Sequence, residues 1–254
     1  MRPWPYVVTL VALAFIGQPV RSASILGGSM DVIQLDPQHT NVKFVLLGNL
    51  HDTDGRFALK RGTIAIDVNN GNAGGQIVID ATSEDSREHL RDAIMRNAIL
   101  DARHYPEIVF IPQRVEGDRD LQGNLYGRIK GLMQLHGSMH EIGTEFQGHL
   151  SGDELIAQCT FLVPYVQWGL ESPNVLTPRQ IVDSTAGDDN FGTRSFQVFA
   201  YMLPVLRKIP PNLFQVSDLV EVTVEATAHV RWAPQAQARM VNVIVSPPAR
   251  ATGM

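Results

Sequence analysis

SREHLRDAIMRNAILDARHYPEIVFI, residues 86–111, is the one strong helical signal in a chain that otherwise reads as strands. Leu90, Ala93, Ile94 and Ala98 recur at helical spacing and share one face. Arg87, Arg91 and Arg96 fall off that stripe. Asp85 followed by Glu88 matches a capping box and predicts the helix start. Tyr105-Pro106 predicts its end, because the residue before a proline avoids the helical region. Glu107 to Ile111 then reads as a strand. One amphipathic helix among strands, feeding straight back into a sheet, is expected to cover a sheet face or the mouth of a barrel.

The flanks of this stretch alternate. Val42 and Phe44 alternate with Asn41, Lys43 and Val45. Turn residues fill Gly48 to Gly55, and Ile64, Ile66 and Val68 mark a strand over Thr63–Val68. Asn69-Asn70-Gly71-Asn72 is a turn, and Ile77, Ile79 and Ala81 carry the next strand. Downstream, Leu125, Gly127, Ile129, Gly131, Met133 and Leu135 share one face of a long strand. Gly127 and Gly131 on that apolar face predict either a bend or a void, with equal weight. His136 to His140 reads as a turn, followed by strands over Thr144–Leu150 and Leu155–Val163. Val220, Val222, Val224 and Ala226 mark the last clear strand, whereas Pro164 to Phe214 fits the rhythm poorly. About eight short strands joined by turns predict an all-β, antiparallel barrel or sandwich.

The whole chain sets outer limits. It has 254 residues, a formal net charge of -5 and a pI near 5.9, which argues against nucleic acid as a partner. Its single cysteine, Cys159, cannot form an internal disulfide, and its strand setting predicts a buried structural thiol. Arg2 followed by the apolar run Val7–Gly17 reads as a secretory signal peptide over 1–23, with cleavage after Ser22 or Ala23. The mature protein is therefore expected to be periplasmic or secreted. Residues 233–254 read as a C-terminal tail.

The ordered motifs resemble the YceI-like family of exported, lipocalin-like polyisoprenoid-binding proteins. Leu35-Asp36-Pro37-Gln38-His39-Thr40-Asn41-Val42-Lys43-Phe44 is similar to its opening segment. Gly55-Arg56-Phe57, Gly62-Thr63-Ile64, Arg91-Asp92, Leu100-Asp101 and Tyr105-Pro106-Glu107-Ile108-Val109-Phe110 follow in the family's order. Leu135-His136-Gly137, Gln167-Trp168-Gly169-Leu170 and Val216-Ser217-Asp218-Leu219-Val220 complete the series. The resemblance covers about residues 32–230 and implies an eight-stranded antiparallel lipocalin-like barrel with one helix near the mouth. The chain departs from the family in an insertion over 172–212, in His140 where lysine is frequent, and in its tail.

The resemblance implies an apolar tunnel for a long-chain isoprenoid or similar amphiphile. Alternation alone leaves a filled and a hollow barrel equally open. On the hollow reading the tunnel is lined by Phe44, Ile64, Ile66, Ile77, Ile79, Phe110, Ile129, Met133 and Phe161. His39, Arg56 and Arg91 are candidates for the mouth, where a guanidinium would meet a polar head; Arg103 is a further one. His136 and His140 are four apart, but on a turn between strands that spacing does not make a metal site, and no metal or cofactor is expected. No nucleophile elbow, zinc-helix motif or phosphate loop is present, so no catalytic residue is assigned. The expected role is to bind and carry or sequester the lipid in the cell envelope, with membrane-surface contact and a homodimer as further possibilities. The alternatives are an envelope interaction protein with a filled barrel and an enzyme acting on a lipid-like metabolite.

Overall fold

The computed structural model describes residues 30–185 and 215–233. The expected signal segment, the insertion beyond residue 185 and the tail beyond residue 233 lie outside the described residues. The strands in order are β1 (Met30–Leu35), β2 (Asn41–Gly48), β3 (Thr53–Asp67), β4 (Ala73–Asp80), β5 (Glu107–Arg119), β6 (Asn124–Leu135), β7 (Ser138–Ser151), β8 (Glu154–Val163) and β9 (Val216–Arg231). Helix α1 (His89–Ile94) runs into a π-helical turn, Met95–Ile99, and α2 (Pro178–Thr185) follows β8 after a 3₁₀ turn, Pro173–Val175.

All pairings are antiparallel, and β3 pairs with both β2 and β4, so β2 to β9 close into a ring of eight staves. The eight-stranded barrel expected from the motifs is therefore present. One stave is shared. β1 lies between β3 and β9 at one end, and β2 lies between the same two strands at the other. At the break, the Asp36 amide donates to the Thr227 carbonyl at 2.8 Å. The Thr40 hydroxyl donates to that carbonyl and accepts from the Thr227 amide, each at 3.3 Å. A side chain thus replaces the missing ladder bonds.

The interior has two levels. An upper core, beneath α1, includes Leu100, Met133, Leu135, Val163, Tyr165 and Leu170. A lower core includes Leu35, Leu59, Ile64, Leu155 and Val230. The first residues of β1 and the last of β9 pair at the lower end.

Four local expectations change. β3 starts at Thr53, so the turn before it is shorter than expected. Gly55 is a strand residue there: a Cβ on it would come within 2.5 Å of the Phe44 ring, which occupies the place of a side chain. The helix is short, and its cap is Glu88 rather than Asp85; the Glu88 carboxylate accepts from the Leu90 and Arg91 amides. Asp85 is drawn away by Arg56, which donates to it at 2.8 Å. The turn over His136–His140 contracts to His136-Gly137, with φ of 51° and 77°, and places His140 in β7.

Gly127 and Gly131 mark neither open voids nor simple kinks. A Cβ on Gly131 would lie 2.8 Å from the Phe110 ring, and one on Gly127 would lie 2.7 Å from the Phe146 ring. Rings fill the space that the glycines leave. A Gly131 Cβ would also lie 2.3 Å from the Ile111 carbonyl oxygen, which cannot swing aside. Gly131→Ala is therefore expected to cost about 1–3 kcal/mol in urea unfolding. Gly74→Ala, where a Cβ meets nothing within 4 Å, is expected to be close to neutral in the same assay.

Candidate functional site

Helix α1 is too short to be stable alone, so its position depends on what it packs against. Its lead-in is stitched to β3. The amides and carbonyls of Arg56 and Asp85 exchange bonds at 3.1 and 3.0 Å. The Ala58 amide donates to the Ser83 hydroxyl at 2.8 Å, and Arg87 pairs with Asp54. The Arg56 guanidinium holds the Asp85 carboxyl below the usual carboxylate range. Past α1, the π-helical turn closes with the Leu100 amide donating to the Met95 carbonyl at 2.8 Å. Helix α2 packs on it, with the Asn97 side-chain amide donating to the Ser184 carbonyl at 2.6 Å.

The far side of the mouth is built by Tyr165–Leu170. The Trp168 amide donates to the Pro164 carbonyl at 3.1 Å and the Leu170 amide to the Tyr165 carbonyl at 3.1 Å. Gly169, at φ 94°, makes the reversal that an L side chain would resist. Leu170 and Tyr165 are thereby buried, and the Tyr165 hydroxyl donates to the Ser217 carbonyl at 2.9 Å. The Trp168 ring stacks flat on His140, with centroids 4.3 Å apart and planes 1° apart. Tyr105 packs on His136 at 4.7 Å, and a Cβ on Gly137 would strike the Tyr105 ring. Three motifs distant in sequence thus meet around one opening.

Below that opening lies a cavity of about 380 Å³. Its walls are Phe44 of β2, Phe57 of β3, Met133 of β6, Phe161 of β8 and the valines 220, 222 and 224 of β9. Leu90, Ile94, Met95 and Ile99 roof it. Its polar lining residues are Lys43, Thr53, Glu88, Arg91 and Tyr165. A second concavity, about 760 Å³, lies against β5–β8, opens widely to solvent and carries Glu116, Asp118, Arg128 and Glu145. Its charges are already satisfied in part, since Arg128 pairs with Glu145 and Arg114 with Glu116.

Of the residues expected in the tunnel, Phe44, Ile79, Met133 and Phe161 line the cavity. Ile64 is in the lower core, and Ile66, Ile77 and Ile129 pack against it. Phe110 packs against the upper core with its ring over Gly131. Of the mouth candidates, Arg91 lines the cavity. Arg56 points to solvent and pairs with Asp85. His39 is exposed at the break between β1 and β2, with its Nδ1 2.6 Å from Asp36. The β9 valines and the helix residues complete the lining, and the alternation of the former and the stripe of the latter are visible in the sequence. Among the described residues, no three His, Cys, Asp or Glu side chains form a metal site. Burial pushes the Cys159 thiol up to about 11, so it is a poor nucleophile at neutral pH.

Behind α1, Glu84 is fully enclosed and meets Arg96 at 2.5 Å. Nearby Asp92 accepts from the Ser86 amide and hydroxyl at 2.9 and 2.6 Å. Burial raises the Glu84 carboxyl above its ordinary value, and Arg96 only partly offsets this. A carboxyl raised in the folded state takes up protons on folding. Its contribution therefore favours the fold below the unfolded pKa and is lost as pH rises through the folded pKa. Glu84→Gln should remove that slope. The melting temperature of wild type minus that of the variant should fall between mildly acidic and neutral pH; a flat difference would show that Glu84 does not titrate as its burial requires.

A family model for the YceI-like domain matches residues 33–228. Among solved structures, the chain is similar to a polyisoprenoid binding domain from Saccharophagus degradans implicated in plant cell wall breakdown. That match has 17% identity and a TM-score of 0.52, covering 80% of this chain and 98% of that one. It is also similar to BcnA of Burkholderia cenocepacia, with 14% identity and a TM-score of 0.50, covering 76% and 98%. No curated protein matches. At these identities the two structures speak for the fold alone, but the family model spans most of the chain, and with the closed barrel and its helix-covered mouth it makes this chain a member of the YceI-like family.

Proposed function

We propose that this protein binds a long-chain isoprenoid or similar amphiphile in its barrel and carries or sequesters it in the cell envelope. The observation that carries this reading is the 380 Å³ cavity, walled almost wholly by aliphatic and aromatic side chains and open at the end that α1 covers. Removing apolar surface from water yields about 25 cal/mol per Å² without a precise polar pattern. The sparse polar lining suits a chain better than a compact polar metabolite, which favours binding over catalysis. Arg91 stands where a polar head would emerge. The neighbour described as polyisoprenoid binding supports the ligand class. The apolar leader at Val7–Gly17 supports export. Among the described residues no helix is long and apolar enough to cross a membrane.

The test is organic extraction of the purified protein with mass spectrometry, then uptake of a prenol by the stripped protein. Wild type should release or take up an amphiphile. Met133→Lys puts a charge in the cavity wall and should weaken uptake at least tenfold, because an unpaired buried charge costs several kcal/mol. A thermal melt checks that the variant still folds. Wild-type protein that carries no lipid and takes up no prenol would end this reading.

A further inference from the structure

We infer that the second concavity, on the outer face of β5–β8, is a binding site for a neutral oligosaccharide, separate from the apolar bore. Outward residues of the four strands line up in register across it. Asp118 lies opposite Tyr126, Tyr126 opposite Gln147, and Gln147 opposite Gln158. Neighbouring strands are about 4.8 Å apart, so this row spans roughly 14 Å. It sets one polar side chain on each strand, at a spacing close to the width of a sugar ring. A second row in the same hollow places Glu116 opposite Arg128 and Arg128 opposite Glu145. On the inner side of these strands, Leu125 and Ala157 pack against the lower core, which walls the hollow off from the bore.

The chemistry of the two rows selects the ligand. Tyr126 is 57% exposed and offers an apolar ring face with a hydroxyl at its tip. A sugar ring carries C–H groups on its face and hydroxyls on its rim, so it suits such a platform. Gln147 and Gln158 are exposed, and each amide combines two donors with an acceptor, the mixed pattern that sugar hydroxyls require. Among the described residues no side-chain hydrogen bond engages Tyr126, Gln147 or Gln158. The charges beside them are turned to each other, since Arg128 donates to Glu145 at 2.8 Å and Arg114 pairs with Glu116. Glu116, Asp118 and Glu145 outweigh Arg128 in the lining, so the hollow is acidic and repels phosphates and acidic glycans. An apolar chain gains nothing there, because the outward side chains are polar.

The experiment titrates the full chain with cellopentaose, maltopentaose and penta-N-acetylchitopentaose by isothermal titration calorimetry, with pentagalacturonate as the acidic counterpart. At least one neutral glycan should bind, and pentagalacturonate should bind roughly tenfold more weakly or not at all. Tyr126→Ala should weaken the neutral glycan by roughly tenfold, since it removes the stacking face, while Tyr126→Phe should keep most of the affinity. Joint replacement Gln147→Ala and Gln158→Ala should weaken it by a similar factor of roughly ten. These side chains are exposed, so a thermal melt should show each variant as stable as wild type. Met133→Lys, in the wall of the bore, should leave glycan binding unchanged if that variant melts as wild type does. Wild type that binds none of the neutral glycans would overturn the proposal. So would binding that survives the loss of Tyr126 and both glutamines, or equal binding of the acidic chain.

Discussion

Closure of the hydrogen-bonded ladder is the constraint on which the rest depends. Each strand from β2 to β9 has a neighbour on both sides, because β3 reaches both β2 and β4. A closed ladder leaves no exposed edge and forces one set of alternating side chains into a shared interior. The inward residues then meet across the bore whether or not they can fill it. Here the lower level is filled by branched aliphatics, and the upper level is not. The break between β1 and β2 is tolerated because Thr40 supplies both a donor and an acceptor to the Thr227 peptide.

The mouth follows from what the ladder leaves uncovered. Above Leu59, β3 loses β4 as its partner, and the segment before α1 takes its place through the Arg56–Asp85 bridge. That attachment sets the short helix over the opening with Leu90, Ile94 and Ile99 turned inward. The opposite rim is a turn that Gly169 allows and that Trp168 anchors on His140. The ion pairs of the rim are exposed, where such pairs contribute little to stability. Apolar contact beneath α1 is the larger holding force.

The architecture was readable because period-two alternation survives in β4, β6, β8 and β9, and because proline and glycine punctuate it. The helix was readable from its stripe, but its cap was not. Glu88 and Asp85 both fit the local pattern, and only the long-range pull of Arg56 on Asp85 decides between them. The early start of β3 was hidden because Gly55 looks like a turn residue until Phe44 is seen lying over it. Depth along the bore was not readable at all. Ile64, Ile66, Ile77, Ile129 and Met133 share the same alternation, and nothing in a single strand says which level is packed and which is hollow. That depends on the stagger between strands and on the rings that lean over Gly127 and Gly131. The placement of His39 away from the mouth has the same origin, since the break in its stave falls midway along the barrel.

The shared stave also fixes how the molecule can be held. β1 begins, and β9 ends, at the end remote from α1, where Val32 lies opposite Arg231. A restraint applied at Met30 or Ala233 would therefore act on the base of the barrel, at the pole opposite the cavity.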